Sequence, residues 1–434
     1  MEGDTLTIEP DSAPAMAFKF HFTPQGALVL RTADGSAMTL TRPGEERRDP
    51  LPPPPAPGPL VPDWAKPGYR MTYYMMTGQL AGSVNGWVAD EEGEWEDKET
   101  KKRYARERVG RSSQGLLQVT IAAIDKQFVV LAEPFYLFAD EMRTPVLTSH
   151  MDMLGSLETG GDFWMHPQVQ ARLRESNPWT KDKPPPAGQM VARAAQWTAA
   201  NQTFDATTIT VEGDGYRTFF AFDQASGRML SLRRLLRQAP DVRDRTGTLP
   251  DSVSHATFIE FLGARQLDLP WLAAPPPEWT PRVQSFSYRG QTGMQGEGIV
   301  PTPSPVAEEV LVERRGADWL FVRGRSAMQG AVAEGGFTAV SGPGSLPPVG
   351  IAPEVLARLK VGQEIDRDPF TGFTMRVGHV DGQVVGLVTE GPLQSFGYYF
   401  DRQQGFLVRR VSHSRQPNVP GMVMVNDVQL TAWR

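Results

Sequence analysis

The chain has 434 residues, of which 40% are hydrophobic and 22% are charged, and its formal net charge is −6. This composition allows a packed core and disfavours a nucleic-acid-binding surface, which needs clustered positive charge. The sequence contains no cysteine, so disulfide frameworks, thiolate nucleophiles and cysteine-ligated metals are excluded. No apolar run approaches the roughly 20 residues of a membrane-spanning helix, so no transmembrane segment is expected.

The first segment, residues 1–42, alternates polar and apolar positions between turn residues. This period of two predicts a small β-meander, and the pattern resembles the closing strands of small lipocalin-like bacterial domains. Three or four short strands are marginally stable alone. Either these strands complete a larger sheet or part of their domain is missing, and the chain also begins directly in a strand-like segment, "MEGDTLTIEPD". That abrupt start leaves open whether a signal peptide or lipid anchor precedes it.

The next segment, residues 43–62, is dominated by proline and contains "PLPPPPAPGPLVP". Such a sequence favours extended polyproline II structure and cannot pack a core. We therefore predict a linker here.

From residue 63 onward, short motifs occur twice in the same order. Two domains of one fold are therefore predicted, at 63–272 and 273–434. The spacing between matching motifs shrinks along the chain, which is expected if the first copy carries longer loops. The matching pairs are the segments 62–74 and 277–288, "HPQVQARL" at 166–173 and "APEVLARL" at 352–359, 219–230 and 397–408, and 259–265 and 428–434.

Each copy is predicted to be a curved antiparallel sheet or half-barrel crossed by one short helix. The helix is indicated by Pro167 and Pro353, since proline suits the first helical turn, and by apolar residues at i and i+4. A shared "FD-x-x-x-G" element predicts a hairpin turn, in which the aspartate accepts backbone hydrogen bonds and the glycine supplies a positive φ. The fold class is therefore mainly β, with two tandem sheets after a small meander.

Residues with catalytic or metal-binding chemistry do not form a recognisable motif. The six histidines are dispersed and none has metal-ligand spacing. The carboxylates Asp366 and Asp368 precede Gly372 and indicate a turn rather than a calcium loop, because the other acidic positions of such a loop are missing. We expect no cofactor, no metal and no catalytic residue. Paired carboxylates contributed by distant strands stay open, because their spacing is spatial and not sequential.

The strand order, the helix across the sheet and the "YYFD-x-x-x-G-x-L" hairpin resemble the half-barrel of bacterial periplasmic lipoprotein carriers. That resemblance implies an apolar ligand on the sheet face beneath the helix, although no close family is identified and no binding residue transfers by position. We accordingly predict a ligand site at the ends of each helix. Its predicted residues are Phe163, Trp164 and Tyr216 in the first copy, and Leu356, Phe396 and Tyr398 in the second.

The first hypothesis is a non-catalytic bacterial protein, periplasmic or extracellular, whose duplicated β-domains bind an apolar ligand or a cell-envelope component. Cytoplasmic residence stays open because of the abrupt start. A second hypothesis is a hydrolase of an envelope or extracellular polymer that uses carboxylates from distant strands. A third is a structural spacer that binds nothing. A solvent-open cavity lined by aromatic residues would favour binding, and two close carboxylates with separated pKa values in one cleft would favour the enzyme.

Overall fold

The computed structural model describes four strands before residue 41 and most of the chain from residue 61 to the end. The early segments are 5–8, 16–22, 28–31 and 37–40. The later part omits 82–86, 90–93, 98–102, 106–111, 140–141, 151, 180–184, 187, 214–215, 239–252, 297–302, 329–334 and 416–420. The predicted linker therefore lies outside the described residues up to residue 60.

The chain divides into two compact units, Met1–Gly58 and Pro59–Arg434. The first unit is a four-stranded antiparallel meander in which each strand pairs with the next along the chain. The predicted small β-meander is therefore confirmed. Its strands are β1 (Thr5–Ile8), β2 (Met16–Phe22), β3 (Leu28–Arg31) and β4 (Ala37–Leu40).

The second unit begins with a long antiparallel sheet, here called sheet I, and a separate three-stranded sheet formed by β6, β7 and β8. The strands up to the first helix are β5 (Tyr69–Ala81), β6 (Trp87–Ala89), β7 (Glu94–Asp97), β8 (Arg103–Ala105), β9 (Ser112–Ile124), β10 (Phe128–Ala132), β11 (Pro134–Phe138), β12 (Pro145–His150) and β13 (Met153–Ser156). A 3₁₀ turn (Gly160–Asp162) and helix α1 (Pro167–Glu175) follow, and then β14 (Met190–Ala199), β15 (Gln202–Gly213), β16 (Tyr216–Asp223), β17 (Met229–Gln238) and β18 (Val253–Gln266).

The rest of the second unit forms a ten-stranded antiparallel sheet, here called sheet II. Its elements are β19 (Ser285–Gln295), β20 (Ser304–Arg315), β21 (Leu320–Met328), β22 (Gly335–Ser341), helix α2 (Pro353–Leu356), β23 (Glu364–Arg367), β24 (Thr374–Val380), β25 (Val384–Glu390), β26 (Gln394–Asp401), β27 (Leu407–Arg415) and β28 (Val423–Trp433).

The two sheets share one topology. Sheet I has the strand order β12-β11-β9-β5-β18-β17-β16-β15-β14, and sheet II has the order β22-β21-β20-β19-β28-β27-β26-β25-β24-β23. Nine strands of sheet I thus match nine of sheet II in sequence order. Sheet II adds β23 at one edge, and sheet I adds β10 and β13 as a side branch. In both, the helix lies on the connection that crosses from one edge of the sheet to the other.

Matching hydrogen bonds support the duplication at the level of single residues. The indole Nε1 of Trp64 donates to the carbonyl of Ser226 at 2.8 Å, and that of Trp279 donates to the carbonyl of Gln404 at 2.8 Å. Each carbonyl lies three residues after the aspartate of the "FD-x-x-x-G" turn. The tryptophans of the matching segments 62–74 and 277–288 therefore hold the same turn in both copies.

The turn glycines, Gly227 and Gly405, are required by local geometry. Their φ angles are 79° and 75°, a region that residues with a side chain adopt only at a cost. The carbonyl of Gly227 accepts from the amide of Met165 at 2.7 Å, and that of Gly405 accepts from the amide of Ile351 at 3.0 Å. These bonds tie each hairpin to the residues that precede the helix.

Both helices begin at the predicted proline, Pro167 and Pro353, and the preceding residues have nearly the same backbone angles. The mainly β fold with two tandem sheets, each carrying one short helix, is thereby confirmed. The exact domain boundaries at 62, 272 and 273 stay predictions, because both sheets lie within one compact unit.

Two apolar clusters and one ionic cluster connect sheets I and II. Leu116 and Tyr136 of sheet I form one buried cluster with Phe373 of sheet II. A second cluster joins Ala122, Ala123 and Val130 to Trp319 and Val340. The third contact is an ionic cluster that combines arginines of sheet I with aspartates of sheet II.

Candidate functional site

A cavity lies between the edge strand β12 of sheet I and strands β26, β27 and β28 of sheet II. It consists of two pockets of about 310 Å³ and about 70 Å³, which share Leu147, His150, Phe396 and Tyr398 in their linings. Ligand pockets of small molecules are commonly a few hundred Å³ in size. The cavity is therefore large enough for a small organic molecule.

The strand register explains how sheet II lines this cavity. Tyr398 pairs with Arg410, and Arg410 pairs with Val428, in one row across β26, β27 and β28. The next row contains Phe396, Ser412 and Asn426. Because directly paired residues share a face of the sheet, both rows present their side chains to the same side, here called the inner face. Aromatic, charged and amide groups therefore meet in one cavity.

A charged pair forms part of the inner face. Arg410 donates from Nη2 to the Oε2 atom of Glu308, and its guanidinium lies 4.9 Å from the ring centroid of Tyr288. Burial raises the pKa of Tyr288 to about 12; Arg410 opposes this increase and Glu308 adds to it. Burial likewise raises the pKa of Tyr398 to about 12, against the opposing effect of Arg410. Both tyrosines are therefore neutral at physiological pH.

Three residues that line this cavity each have one buried polar atom with no hydrogen-bond partner within the protein. They are the Nε atom of Arg410, the Oδ1 atom of Asn426 and the Oγ1 atom of Thr389. Arg410 and Asn426 line the larger pocket, and Thr389 lines the smaller one. A buried donor or acceptor without a partner costs about 1–3 kcal/mol. The wall of this cavity is therefore not arranged for the greatest stability of the fold.

The corresponding positions of sheet I are apolar. The register aligns Leu232 with Arg410, and Leu117 with Glu308. It also aligns Met75, which packs against the core of sheet I, with Gly290. Leu117 and Leu232 are part of that core, at 7% and 8% exposure. The inner face of sheet I is therefore filled by apolar side chains, whereas the inner face of sheet II has a charged pair and a cavity.

The edge strand β12 is fixed over the cavity by one side chain of sheet II. The Oε1 atom of Gln394 accepts from the amide of Leu147 at 2.7 Å, and its Nε2 donates to the carbonyl of Leu147 at 3.0 Å. A side-chain amide can thus replace a neighbouring strand at the edge of a sheet. The same strand places the exposed His150 in the lining of both pockets.

The far end of the smaller pocket is closed by the ionic cluster. Asp366 accepts from Nη1 and Nη2 of Arg265 at 2.6 and 2.8 Å. Asp368 accepts from Arg265 at 3.2 Å and from Arg70 at 3.4 Å. Burial alone would raise the pKa of Asp368, but Arg70, the Thr371 amide and hydroxyl and the Gln118 amide together hold it below its usual value. Both aspartates therefore bind arginines of sheet I. Asp368 also accepts hydrogen bonds within the turn that follows it.

The structure places the six predicted ligand-site residues in four different settings. Trp164 is fully buried and Phe163 nearly so, and both belong to the core of sheet I. Leu356 is fully buried in the core beneath α2. Tyr216 is 38% exposed at the start of β16, six residues before Phe222. Phe396 and Tyr398 are brought together in the cavity. The role of all six in binding stays a prediction.

Sequence reasoning missed Glu308, Arg410 and Asn426. Their signal was present in the repeat: once the two copies are aligned strand by strand, a glutamate and an arginine stand where the first copy has leucines. The matching motifs lie mainly at turns and helix starts, and they do not include the inward-facing residues Glu308 of β20 and Arg410 of β27.

A second pair of carboxylates, Glu133 and Asp152, lies at the junction of the sheets. Burial raises the pKa of Glu133 to about 8, with further contributions from the charges of Asp152 and Asp162. Asp152 accepts from the amides of Glu133 and Val340 at 3.0 and 2.7 Å. Neither residue lines the two pockets described above, so this pair is not presented to the cavity.

Metal-ligating side chains are not gathered into a group of three or more anywhere in the part of the chain that the structure describes. Over the same residues, neither helix combines the length and the apolar character of a membrane span.

Comparisons with known proteins give little further information. No family model matches the sequence, and no curated protein matches it. Among solved structures, the chain is similar to a protein of unknown function of the DUF3598 family from Nostoc punctiforme. The two have 7% sequence identity, the match covers 84% of this chain and 96% of the other, and the TM-score is 0.14. This agrees with the expectation that the chain has no close family.

Proposed function

We propose that this protein is a non-catalytic binding protein, and that its ligand occupies the cavity between β12 and the inner face of sheet II. The observation that carries the proposal is the contrast between equivalent positions. Sheet I has Leu117 and Leu232 where sheet II has Glu308 and Arg410. Burying a charged pair usually stabilises a protein no better than packed apolar side chains. A charged and incompletely filled interior in one copy alone is therefore better explained by binding than by stability.

The size and chemistry of the lining support the same proposal. Phe396 and Tyr398 offer aromatic surface, on which an apolar body gains about 25 cal/mol for each Å² that it removes from water. Arg410, Asn426 and Thr389 add a few polar groups to this lining. An apolar lining with a small number of polar groups is typical of small-molecule sites.

The two alternatives have less support. A structural spacer does not need a cavity with unpartnered polar atoms. A hydrolase needs carboxylates at the substrate, and the carboxylates that line the smaller pocket, Asp366 and Asp368, are occupied by arginines. Glu133 has a raised pKa but does not contribute to either pocket. The hydrolase is therefore the second candidate function, and the structural spacer is the third.

The proposal is tested by blocking the cavity. The uncharged dye N-phenylnaphthylamine is titrated into the full chain, and its fluorescence is followed to saturation. In the variant Ser412→Phe, a ring enters the row between Phe396 and Asn426, and we expect at least a tenfold loss of affinity, or about 1.4 kcal/mol. The matched control is His413→Phe, because His413 is the next residue of β27, is exposed and does not line the cavity. Equal binding by both variants, or no saturable binding by the wild type, would contradict the proposal.

We further propose that binding takes place outside the cytoplasm, in the periplasm or extracellular space, with a cell-envelope component as the alternative ligand. The absence of cysteine is compatible with an oxidising compartment as well as with the cytosol, and the proposal itself follows the resemblance to periplasmic carriers. Fractionation of the native producing cell, followed by immunodetection of the protein, tests it. Recovery only with cytoplasmic markers would contradict the proposed location and leave the cavity proposal intact.

A further inference from the structure

We infer that the occupant of this cavity is an uncharged amphiphile. The inference rests on the proposed function and specifies its ligand class. Its basis is the pairing of the charged groups around the cavity, together with the separation of aromatic and polar side chains on the inner face of sheet II.

Each arginine and each carboxylate in the lining of the cavity is paired within the protein. Arg410, which lines the larger pocket, is paired with the nearly buried Glu308 behind the lining. At the smaller pocket, the lining residues Arg70, Asp366 and Asp368, together with Arg265 behind them, form contacts of 2.6 to 3.8 Å. Two positive and two negative groups sum to zero, as do Arg410 and Glu308. His150, which both pockets share, lies exposed at the rim.

A charged ligand would therefore lose its hydration without meeting a free countercharge. Removing an ionised group from water is far more costly than removing a neutral polar group. An uncharged head does not carry this cost. The cavity thus discriminates against carboxylates, phosphates, sulfonates and ammonium groups, even though an arginine lies in its wall.

The polar side of the cavity lies on β27 and β28. Arg410 pairs with Val428, and Asn426 pairs with Ser412 one row away, so Arg410 and Asn426 are diagonal neighbours of adjacent strands. Diagonal partners lie about 7–8 Å apart at their Cα atoms. One uncharged polar head, such as a hydroxyl or an amide, can therefore lie against both side chains.

The body of the ligand is specified by the aromatic side of the cavity. Phe396 and Tyr398 lie on β26 beside the two polar residues, and Leu147 of β12 lies across from them. Flat rings pack well against aromatic side chains. The head would therefore lie toward β27 and β28, and an apolar, planar body would lie between β26 and β12.

Two dyes that share one skeleton test the charge requirement. N-phenylnaphthylamine is uncharged and carries an N–H donor, and anilinonaphthalenesulfonate adds a sulfonate to the same rings. Titrations are made at about 0.5 M salt, where the Debye length falls below about 5 Å and the net charge of the protein is screened. We expect wild-type protein to bind the uncharged dye at least tenfold more tightly than the sulfonate.

The variant Glu308→Gln frees the charge of Arg410 while keeping a hydrogen-bond acceptor at that position. We expect the affinity for the sulfonate to rise by about tenfold, and the affinity for the uncharged dye to change by less than about threefold. The control is Glu309→Gln, which changes the net charge equally but at an exposed position of the same strand. It should leave both affinities unchanged. The comparison of the two dyes on wild-type protein does not depend on any variant folding.

The outcomes separate the two proposals. If wild-type protein binds the sulfonate as tightly as the uncharged dye, and Ser412→Phe abolishes both, the cavity binds ligands and the inference about charge is wrong. An unchanged ratio of the two affinities in Glu308→Gln would also overturn it. If neither dye binds saturably, the proposed function fails and the inference fails with it.

Discussion

The inner faces of the two sheets differ although their topology is the same. In sheet I, Leu117, Leu232 and Ile259 belong to a continuous core with less than a tenth of each side chain exposed. In sheet II, Glu308 and Arg410 replace the two leucines, and a cavity of about 310 Å³ lies beside them. A sheet of this topology can thus be closed by side chains or left open.

The outer faces differ in a complementary way. Arg70, Gln118 and Thr120 of sheet I are buried at the junction with sheet II, where Asp368 is bound. Sheet I therefore combines a filled interior with a buried outer surface, and it supplies the strand β12 that covers part of the cavity of sheet II. We propose that the first copy supports the fold and that the second copy binds the ligand.

The largest loss of stability is expected from breaking the ionic cluster between the sheets, because this cluster helps to keep β12 in place over sheet II. Asp368→Ala removes the carboxylate that Arg70, Gln118 and two backbone amides share. Arg70 is only 6% exposed, and breaking a buried pair by removing one partner costs about 3–5 kcal/mol. Denaturant unfolding should show this loss. The control Asp381→Ala removes an exposed carboxylate that also holds two turn amides, and should cost less.

The same carboxylate predicts a dependence on pH. The pKa of Asp368 is below its usual value in the folded protein, so its contribution is present above the unfolded-state pKa of about 3.9 and is lost as pH falls through the folded-state value. The difference in unfolding free energy between wild type and Asp368→Asn should therefore shrink below about pH 4. A difference that stays constant from pH 7 to pH 3 would show that this carboxylate does not act through its charge.

The next largest effect comes from making the inner face of sheet II resemble that of sheet I. Arg410→Leu leaves Glu308 buried without its partner, and should lower the unfolding free energy by about 3 kcal/mol. Glu308→Leu should cost less, because about a third of the Arg410 side chain is exposed and its charge stays partly hydrated. The double variant should recover wild-type stability, since apolar replacement of a buried pair is often neutral or favourable.

A double-mutant cycle by urea unfolding measures this coupling. The same double variant should bind N-phenylnaphthylamine more weakly, because it loses the contact that the Arg410 side chain makes in the lining of the larger pocket. Recovered stability together with weakened binding would show that Glu308 and Arg410 are needed for binding and not for stability. A double variant as unstable as the sum of the single variants would mean that sheet II is not built to accept the packing of sheet I.

A smaller effect is expected at Glu133, a buried carboxyl of sheet I whose aligned position in sheet II is Gly324. Its pKa of about 8 lies above the ordinary value, because of burial and the charges of Asp152 and Asp162. The folded state therefore binds a proton more tightly than the unfolded state, and stability falls as pH rises from about 4.3 to 8. Glu133→Gln should remove this fall and stabilise the protein by about 2 kcal/mol at pH 8. Thermal unfolding of wild type and Glu133→Gln at pH 5 and pH 8 measures this difference. An equal change in stability at the two pH values would show that Glu133 does not titrate between them.

The sequence was informative wherever local chemistry decides the structure. The turn at Asp223 and Gly227, its copy at Asp401 and Gly405, and the helix starts at Pro167 and Pro353 depend on backbone conformation that these residue types prefer, and all were predicted correctly. The cavity depends instead on which residues meet across strands far apart in the chain. Glu308 and Arg410 are 102 residues apart, and period-two alternation alone does not reveal which inward positions become neighbours. Phe396 and Tyr398 do line this cavity, but their role in binding stays a prediction.

The smallest effect is expected at the side chain that fixes the mouth of the cavity. Gln394→Ala removes two hydrogen bonds to the backbone of Leu147, whose amide and carbonyl can then bind water, so the loss of stability should be about 1 kcal/mol. Binding should respond mainly in its rates. Because β12 is held less firmly, both association and dissociation of N-phenylnaphthylamine should accelerate in stopped-flow measurements, with little change in Kd. Hydrogen exchange at the Leu147 amide should accelerate as well. The control Gln383→Ala alters an exposed glutamine in the turn between β24 and β25 and should change neither rate. If Gln394→Ala leaves exchange at Leu147 faster but dye kinetics unaltered, the ligand enters the cavity by a path that does not involve β12.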